Sequence, residues 1–564
     1  MCGIAGILSK KGQNIVPLVG SMLDCMVNRG PDGGGLVADG QIIKSDSLSS
    51  MGLQLQKLSG RSAFGHTRLA IVGGTCGAQP FCSCDGRIVL EHNGEIYNYK
   101  KIRERLAKHH ELKTMTDSEV IVHLIEEHLR KNNLLGAIKK TVAELDGVYA
   151  LAIQDKKTGE IVLVRDKIGV RQLYYADTDN FIAFASERKA LWRIGIKEPT
   201  RCILPGNAVV ISQDGRLQSF QIADMLPKKT RIIHRTMRSA IDAYRKALVK
   251  AMEKRTQDFR KIGIIFSGGI DSVIIAHLAA KMVPEVICYT GGVKGSSDIA
   301  YARQIAKELG LKLKVCELDN DEVERLVPEV INVIEDNNAG QVEVALPVYC
   351  AVKLARQDGI KVMLTGQGAD ELYGGYPWYA KVAEKEGYKI LRKHMIEDLL
   401  LLYKETLERE DKITMAHSIE LREPFLDPEV IAVSLATSLR LNVRGEHDIF
   451  GKHVHRKLAQ SLGIPKDIAY RMKEAAQHGS GMHGMLDSIA RKRGFSDSII
   501  PHEYLEELNM REKIGSSQRY GYLFGDEKIW IAEPHIQMYL DSILRNLRSL
   551  ELVAAQEKSA KVAG

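Results

Sequence analysis

Apolar and polar positions along this chain change period as the sequence advances. Residues 86–92, 160–165 and 181–186 alternate or run apolar between turn residues, and that period of two predicts strands of an antiparallel sandwich. Further on the signal is different. Lys261 to Phe266 reads as a short buried strand, Ser267-Gly268-Gly269-Ile270-Asp271-Ser272 as a tight loop, and Val273 to Met282 as the helix that follows. A second strand-loop unit comes at Lys361-Val362-Met363-Leu364, followed by Thr365 to Tyr376. Met237 to Lys254 is helical in pattern. Pro534 to Ala555 places Ile536, Met538, Leu540, Ile543, Leu544, Leu547 and Leu550 at near-helical spacing, which predicts an amphipathic helix packed on its own domain or against another copy.

A length of 564 residues is too great for one ordinary core and suits two domains of roughly 200 and 300 residues. The cut is expected after Leu204-Pro205-Gly206, and Pro227-Lys228-Lys229-Thr230-Arg231 has linker composition. This gives a first domain over 2–205, a linker over 206–236 and a second domain over 237–564. No repeat, low-complexity tract, signal peptide or membrane-spanning apolar run stands out, so the expectation is a cytoplasmic enzyme without a membrane partner. The 9 cysteines, irregularly spaced in so long a chain, suggest reduced thiols. Cys76, Cys82 and Cys84 form the one tight cluster; it reads as small thiols in a loop, with a metal site as the alternative, and no fourth ligand accompanies them at a zinc-like spacing. Net charge is +8 from 79 basic and 71 acidic side chains. Arg444, Lys452, His453, His455, Arg456, Lys457 and Lys466 could form a nucleic-acid patch, but no RNA-binding signature or aromatic platform accompanies them, so no nucleic-acid partner is expected.

The chemistry begins at Met1-Cys2-Gly3-Ile4-Ala5-Gly6. Removal of the initiator, which the small Cys2 side chain permits, leaves a thiol and a free α-amine on one residue. A thiol with a pKa of about 8.5 gives little thiolate at neutral pH, whereas an α-amine near 7.7–8.0 can take its proton directly or through water. Within the next 120 residues come His66-Thr67-Arg68-Leu69-Ala70-Ile71-Val72, Asn93-Gly94-Glu95-Ile96-Tyr97-Asn98 and Thr116-Asp117-Ser118-Glu119. Amide hydrolysis through a thioester creates an oxyanion, for which the Asn93 side-chain amide and the unshielded Gly94 backbone N–H are two donors. Free glutamine adds a carboxylate that suits the forked donor of Arg68 and an ammonium that suits Glu95 and Asp117. Taken alone, Asn93-Gly94 reads as a hairpin turn and Arg68 as a surface charge.

Together, Cys2, Arg29-Gly30-Pro31-Asp32, the Arg68 segment and Asn93 to Asn98 resemble the glutaminase domain of class II glutamine amidotransferases over roughly residues 2 to 205. The resemblance implies an α+β N-terminal-nucleophile sandwich (αββα). Cys2 is then the nucleophile, Asn93 and Gly94 form the oxyanion hole, and Arg68, Leu69, Ala70, Ile71, Val72, Asn93, Gly94, Glu95 and Asp117 hold glutamine.

Such a domain only makes ammonia, so the second half must supply an acceptor. In the loop Ser267 to Ser272 the glycines let backbone N–H groups converge on an anion, the following helix adds its positive end, and Asp271 is placed to hold a magnesium ion. An ordinary strand-to-helix turn is the plain alternative. A Walker loop does not match, because no Gly-Lys-Ser/Thr follows the glycines. The loop resembles the ATP pyrophosphatase signature, implying an α/β parallel-sheet domain that cleaves ATP to AMP and pyrophosphate. Thr365-Gly366-Gln367-Gly368-Ala369-Asp370-Glu371 is similar to the asparagine synthetase loop Ser-Gly-Glu-Gly-Ser-Asp-Glu, and Met415 to Asp427 and Tyr470-Arg471-Met472-Lys473-Glu474 also resemble that family. By this likeness Phe266, Ser267, Gly268, Gly269, Asp271, Ser272, Gly291, Thr365 and Gly366 bind ATP, Gln367 meets the aspartyl-adenylate, Asp271 and Asp370 hold magnesium with pyrophosphate, and Lys473 is catalytic in adenylation. The small-molecule partners implied are glutamine, aspartate and ATP, and the family comparison favours a homodimer.

One position departs from the pattern. Gln367 stands where bacterial members carry a glutamate, and an amide cannot accept a proton. Either the substrates or a neighbour such as Glu343 or Glu371 takes it, or the acceptor is a carboxylate other than aspartate. The related β-lactam synthetases also alter this loop, but they lack the N-terminal cysteine that is present here. A non-catalytic descendant is the remaining alternative, and the intact Cys2 and Ser267 to Ser272 loop oppose it.

Overall fold

The computed structural model describes residues 2–47, 51, 54–74, 77–196, 199–227, 230–445, 447–472, 476–513 and 533–547. The chain forms two units. The first comprises residues 1–228 and takes back 403–411 and 415–420; the second comprises the rest.

In the first unit, strands β1 (Cys2–Ser9), β2 (Gly34–Ala38), β3 (Gln41–Ser45), β4 (Ser62–Arg68), β9 (Tyr174–Asp177), β10 (Phe181–Ala185) and β11 (Arg201–Cys202) make a sheet of order β11-β9-β10-β1-β4-β2-β3. A second sheet has the order β13-β12-β8-β7-β6-β5, with β5 (Phe81–Cys82), β6 (Ile88–Ile96), β7 (Gly147–Asp155), β8 (Ile161–Arg165), β12 (Asn207–Ile211) and β13 (Leu217–Gln221). One buried cluster joins Ile4, Leu8, Val37 and Phe64 of the first sheet to Val89, Ala150, Ala152, Ile161 and Leu163 of the second. That shared core makes a sandwich, because alternate residues of each strand point inward. The outer faces are covered by helices. Val19, Met22 and Leu191 pack on the first sheet, and Val120, Leu124, Ile138 and Val142 pack on the second. The architecture is αββα, and the strands expected at 86–92, 160–165 and 181–186 are β6, β8 and β10.

The expected cut at residue 205 falls too early. Asn207–Ile211 pairs with β8 on one side and with Leu217–Gln221 on the other, so the first half of the stretch read as linker completes the second sheet. Pro205-Gly206 marks a turn between strands of one domain; Gly206 has φ 69°, a conformation that glycine takes at no steric cost.

The second unit is built on the sheet β16-β15-β14-β17-β18, with β14 (Lys261–Ile265), β15 (Glu285–Val293), β16 (Lys312–Leu318), β17 (Val362–Leu364) and β18 (Glu420–Arg422). β14 runs parallel to both β15 and β17, and β15 parallel to β16. Helix Met237–Thr256 opens the unit and helix Ile270–Met282 follows β14. Its ligand crevice is expected at the carboxyl ends of the parallel strands, where β14 and β17 both deliver loops. The C-terminal helix is described over 534–547; Ile536 and Leu540 are buried, and Gln537 accepts the Ala339 N–H at 2.9 Å, so this segment packs on its own unit. Leu550 lies outside the described residues.

Candidate functional site

Cys2 opens β1, between β4 and β10, and its register places it opposite Arg68 on β4. The strand end is held firmly. Its N–H groups at Gly3 and Ile4 donate to Thr67 Oγ1 and Ser186 Oγ at 3.2 and 2.9 Å, and Arg29 Nε donates to the Cys2 carbonyl at 3.2 Å. Arg29 is itself buried and fixed by Glu187 and Asp411, each at 2.9 Å. The Cys2 N–H donates to Asn93 Oδ1 at 2.9 Å, which turns the Asn93 amide so that Nδ2 is a buried donor with no hydrogen-bond partner. An unmatched buried donor costs roughly 1–3 kcal/mol, and an oxyanion is the partner that would recover it. Burial pushes the Cys2 thiol up from its usual value, and the nearby amino terminus and Arg68 oppose that rise.

Asn93-Gly94 is not a hairpin turn. It sits inside β6, with Asn93 opposite Ala150 and Gly94 opposite Tyr149 on β7. A Cβ at Gly94 would lie 2.1 Å from the Val148 carbonyl oxygen, so only glycine allows that strand to approach. Asp117 accepts the Ile96 N–H at 2.9 Å, and burial raises its carboxyl to about 6. The Arg68 guanidinium donates to the Gly74 carbonyl, the Ala70 N–H donates to Asp32 at 2.9 Å, and Leu69 packs on Met415 with Ile71 beside it. Val72 packs against the core beneath the second sheet, and Glu95 is buried. No sequence motif marks Gln79. Its amide exchanges two hydrogen bonds with the His92 backbone, at 2.9 and 2.6 Å, and approaches Cys2 Sγ at 3.9 Å.

In the second unit, β14 delivers Phe266, whose N–H donates to the Tyr289 carbonyl, and then the loop Ser267-Gly268-Gly269 leading into helix Ile270–Met282. Ser272 Oγ donates to the Gly269 carbonyl at 2.9 Å, which closes the loop over the helix N-terminus. Arg471 borders it: a Cβ on Gly268 would lie 3.4 Å from Arg471 Nη1, and the guanidinium stacks 3.6 Å from the Tyr301 ring centroid. A helix N-terminus, glycine N–H groups and a guanidinium together favour phosphate.

Asp271 and Asp370 converge on one cation. Lys452 Nζ donates to both Asp271 oxygens at 2.7 Å and lies 2.8 Å from Asp370 Oδ1, and His455 Nε2 lies 3.0 Å from Asp271. Burial raises an acid, but Lys452 and His455 overcome it and hold Asp271 well below the carboxylate range. A Cβ on Gly375 would clash at 1.8 Å with Asp370 and at 2.1 Å with Lys452, so this close pairing requires glycine there. Lys452, His453, His455 and Arg456 are all buried, so that stretch of the basic run is interior and not a surface patch.

Thr365 is buried, and its N–H donates to the Arg422 carbonyl at 3.1 Å; Gly366 abuts Asp271, where a Cβ would sit 2.8 Å from Asp271 Cβ. A Cβ on Gly291 would meet the Pro347 carbonyl at 2.3 Å, so packing of helix Ala339–Gln357 demands that glycine. Gln367 follows Gly366 and is half-buried. Of the two acids considered as proton acceptors, Glu371 accepts the Tyr376 hydroxyl at 2.5 Å, whereas Glu343 lies 2.9 Å from His483 Nδ1 and is raised by burial. Lys473 lies outside the described residues.

The two sites define an ammonia-producing unit joined to a nucleotide-cleaving unit, which is the class of glutamine amidotransferases. Residues 52–201 match the family model of a glutamine amidotransferase domain, and residues 243–389 and 381–541 that of asparagine synthase. A protein of Methanocaldococcus jannaschii named putative glutamine-hydrolysing asparagine synthetase 1 is 36% identical over 554 residues, covering 91% of this chain and 99% of that one. The glutamine-hydrolysing asparagine synthetase 3 of Arabidopsis thaliana is 31% identical, covering 75% and 72%. Asparagine synthetase B of Escherichia coli K12 is 27% identical, covering 87% and 84%. The chain belongs to the glutamine-hydrolysing asparagine synthetase family. Among the described residues, no helix is long and apolar enough to cross a membrane.

Proposed function

We propose that this chain is a glutamine-dependent asparagine synthetase in which Cys2 releases ammonia from glutamine and the second unit spends ATP to place it on aspartate. The observation that carries the first half is the buried, unpartnered Asn93 Nδ2 on the amide that already holds the Cys2 N–H. With Met1 removed, the α-amine of Cys2 takes the thiol proton as Sγ attacks the glutamine amide carbon. The oxyanion accepts from Asn93 Nδ2 and the Gly94 N–H, then collapses to a glutamyl thioester as the amine returns its proton to the departing ammonia. Water hydrolyses the thioester. Arg68 pairs with the glutamine carboxylate, and Glu95 and Asp117 with its ammonium.

In the second unit an aspartate carboxylate oxygen attacks the α-phosphorus of ATP, and pyrophosphate departs. Leaving charge is met by the Ser267 to Ser272 loop, the N-terminus of helix Ile270–Met282 and Arg471. Asp271 and Asp370 are two hard oxygen donors already converging on a cation, so the donor set fits Mg2+, which would neutralise phosphate charge there. Lys473 is assigned to adenylation by its motif alone. Ammonia then displaces AMP from the acyl carbon. Gln367 orients but takes no proton, which leaves the substrates, Glu343 with its carboxyl raised by burial and paired with His483, or Glu371, which accepts from Tyr376, to take it. Because Gln367 replaces a glutamate, a different carboxylate acceptor is the second reading.

The test measures pyrophosphate and asparagine in parallel. Wild type should form both with glutamine or with ammonium salts, and Cys2→Ala only with ammonium salts. Loss of both activities in folded Cys2→Ala overturns the two-site assignment, and wild type that releases no pyrophosphate with aspartate overturns the acceptor.

A further inference from the structure

Cys84 was legible in the sequence only as one of three clustered thiols, Cys76 lying outside the described residues. The fold supplies the partners that the spacing lacked. Cys84 projects from the turn between β5 and β6, while His123 and Glu126 sit one turn apart on helix Glu119–Leu129, and His110 lies between helices Tyr99–Leu106 and Glu119–Leu129. Cys84 Sγ is 3.3 Å from His110 Nδ1 and 3.7 Å from His123 Nδ1. Glu126 Oε2 is 3.1 Å from His123 Nδ1 and 3.3 Å from His110 Nδ1, and all four ligand atoms lie within 4.8 Å of one another.

Those separations have a chemical meaning. A tetrahedral ion with metal–sulfur bonds of about 2.3 Å and metal–nitrogen or metal–oxygen bonds of about 2.0–2.1 Å requires ligand-to-ligand edges of roughly 3.3–3.6 Å. The four contacts run from 3.1 to 3.7 Å. One thiolate, two imidazoles and one carboxylate are a borderline-soft set, suited to Zn2+ and poorly suited to Mg2+ or Ca2+. One supporting contact fits as well: the Cys84 N–H donates to Glu126 Oε2 at 3.1 Å, whereas the Glu127 carboxylate stands 3.6 Å from His110 Nε2, beyond hydrogen-bonding distance. His110 and His123 are buried while Cys84 is exposed, which leaves an approach from solvent.

We propose that Cys84, His110, His123 and Glu126 form a structural Zn2+ site in the glutaminase unit. Binding displaces the Cys84 thiol proton and completes a four-ligand shell with no open position, so the ion is a staple and not a catalyst. It clamps the turn from which β6 runs on to Asn93 and Gly94 against the helix preceded by Asp117. The same two segments are linked elsewhere by His92 Nδ1 and Ser118 Oγ at 2.9 Å.

The full chain is used, with Cys2→Ala in every sample to remove the reactive thiol. After chelation and dialysis, the protein is titrated with Zn2+ against a chromophoric chelator, and separately with Co2+ as a spectroscopic probe. The expected result is one ion per chain, a thiolate-to-cobalt charge-transfer band with intense tetrahedral d–d bands, and a Zn2+-dependent rise in unfolding temperature. Cys84→Ala and His123→Ala should abolish the band and the rise. Metal-free unfolding curves of the variants, matched to the parent, establish that they are folded. Absence of stoichiometric binding in the parent overturns the site. So does binding that survives Cys84→Ala but is lost in His535→Ala, which would move the ion to the Asp487, Glu533 and His535 cluster.

Discussion

Replacing Lys452 by methionine isolates the energetics of the synthetase site. The lysine is 2% exposed, and its ammonium lies 2.7 Å from Asp271 and 2.8 Å from Asp370. With an effective dielectric of about 20, each pair is worth roughly 6 kcal/mol before costs. Several kcal/mol of that gross gain goes to stripping the ammonium of water. Deleting one member of a buried set typically costs about 3–5 kcal/mol, because the remaining charges stay desolvated. Lys452→Met should therefore lose about 3–5 kcal/mol in urea unfolding at neutral pH with EDTA present.

Two controls follow from the same geometry. Methionine keeps the stem volume but leaves two carboxylates facing each other, so the variant should gain from Mg2+: at tenfold excess over Kd the linkage term is about 1.4 kcal/mol. Wild type, whose carboxylates already hold an ammonium, should gain less. The pH dependence also has a definite sign. Asp271 is held well below its unfolded value, so its contribution is fully present above about pH 4 and fades as pH falls toward the depressed native value. The variant should show a weaker acid limb. A loss under about 1 kcal/mol in EDTA, or Mg2+ responses equal in the two proteins, would refute this account of the cation site.

Three further outcomes are expected. Asn93→Ala should lower glutaminase kcat by about 10²–10³ and leave ammonia-dependent asparagine synthesis at the wild-type rate, because it removes one oxyanion donor; equal losses in both assays would assign Asn93 to folding. Asp117, with its carboxyl at about 6, must ionise to hold an ammonium, so glutamine affinity of Cys2→Ala by calorimetry should fall about fivefold between about pH 6 and pH 5. An affinity unchanged over that interval removes Asp117 from the pocket. Gln367→Glu should retain synthesis and Gln367→Leu should slow asparagine formation more than pyrophosphate release, whereas Glu343→Gln should resemble the leucine variant if it is the proton acceptor; parallel product assays distinguish these cases.

What could be read from the sequence and what could not divides along a physical line. Local backbone demands leave local marks: the period of β6 and β8, the glycines of residues 267–269 and the helical pattern after Asp271 all correspond to observed elements. Long-range side-chain partnerships leave none. Gln79 sits in no motif, yet it braces the strand that carries Asn93 through two hydrogen bonds to His92. Lys452 looked like one member of a basic run; only the fold brings it to Asp271, 181 positions away in sequence. The linker departs from its expected place for a related reason, since Pro205-Gly206 is a turn signal that looks the same between two strands of one domain and between two domains.

The zinc-like quartet makes the same point in reverse. Spacing rules for metal sites assume ligands supplied in pairs by one hairpin or one helix. Here only His123 and Glu126 are a local pair; Cys84 comes from a β-turn and His110 from an interhelical segment, so three separate stretches must be folded before four ligand atoms meet. A site assembled that way cannot nucleate folding as a zinc finger does. It can add stability only after the second sheet and its covering helices are in place, so its loss should speed unfolding more than it slows refolding. Stopped-flow unfolding and refolding of Cys2→Ala with and without Zn2+ measures that partition, and a metal effect confined to the refolding rate would contradict late assembly.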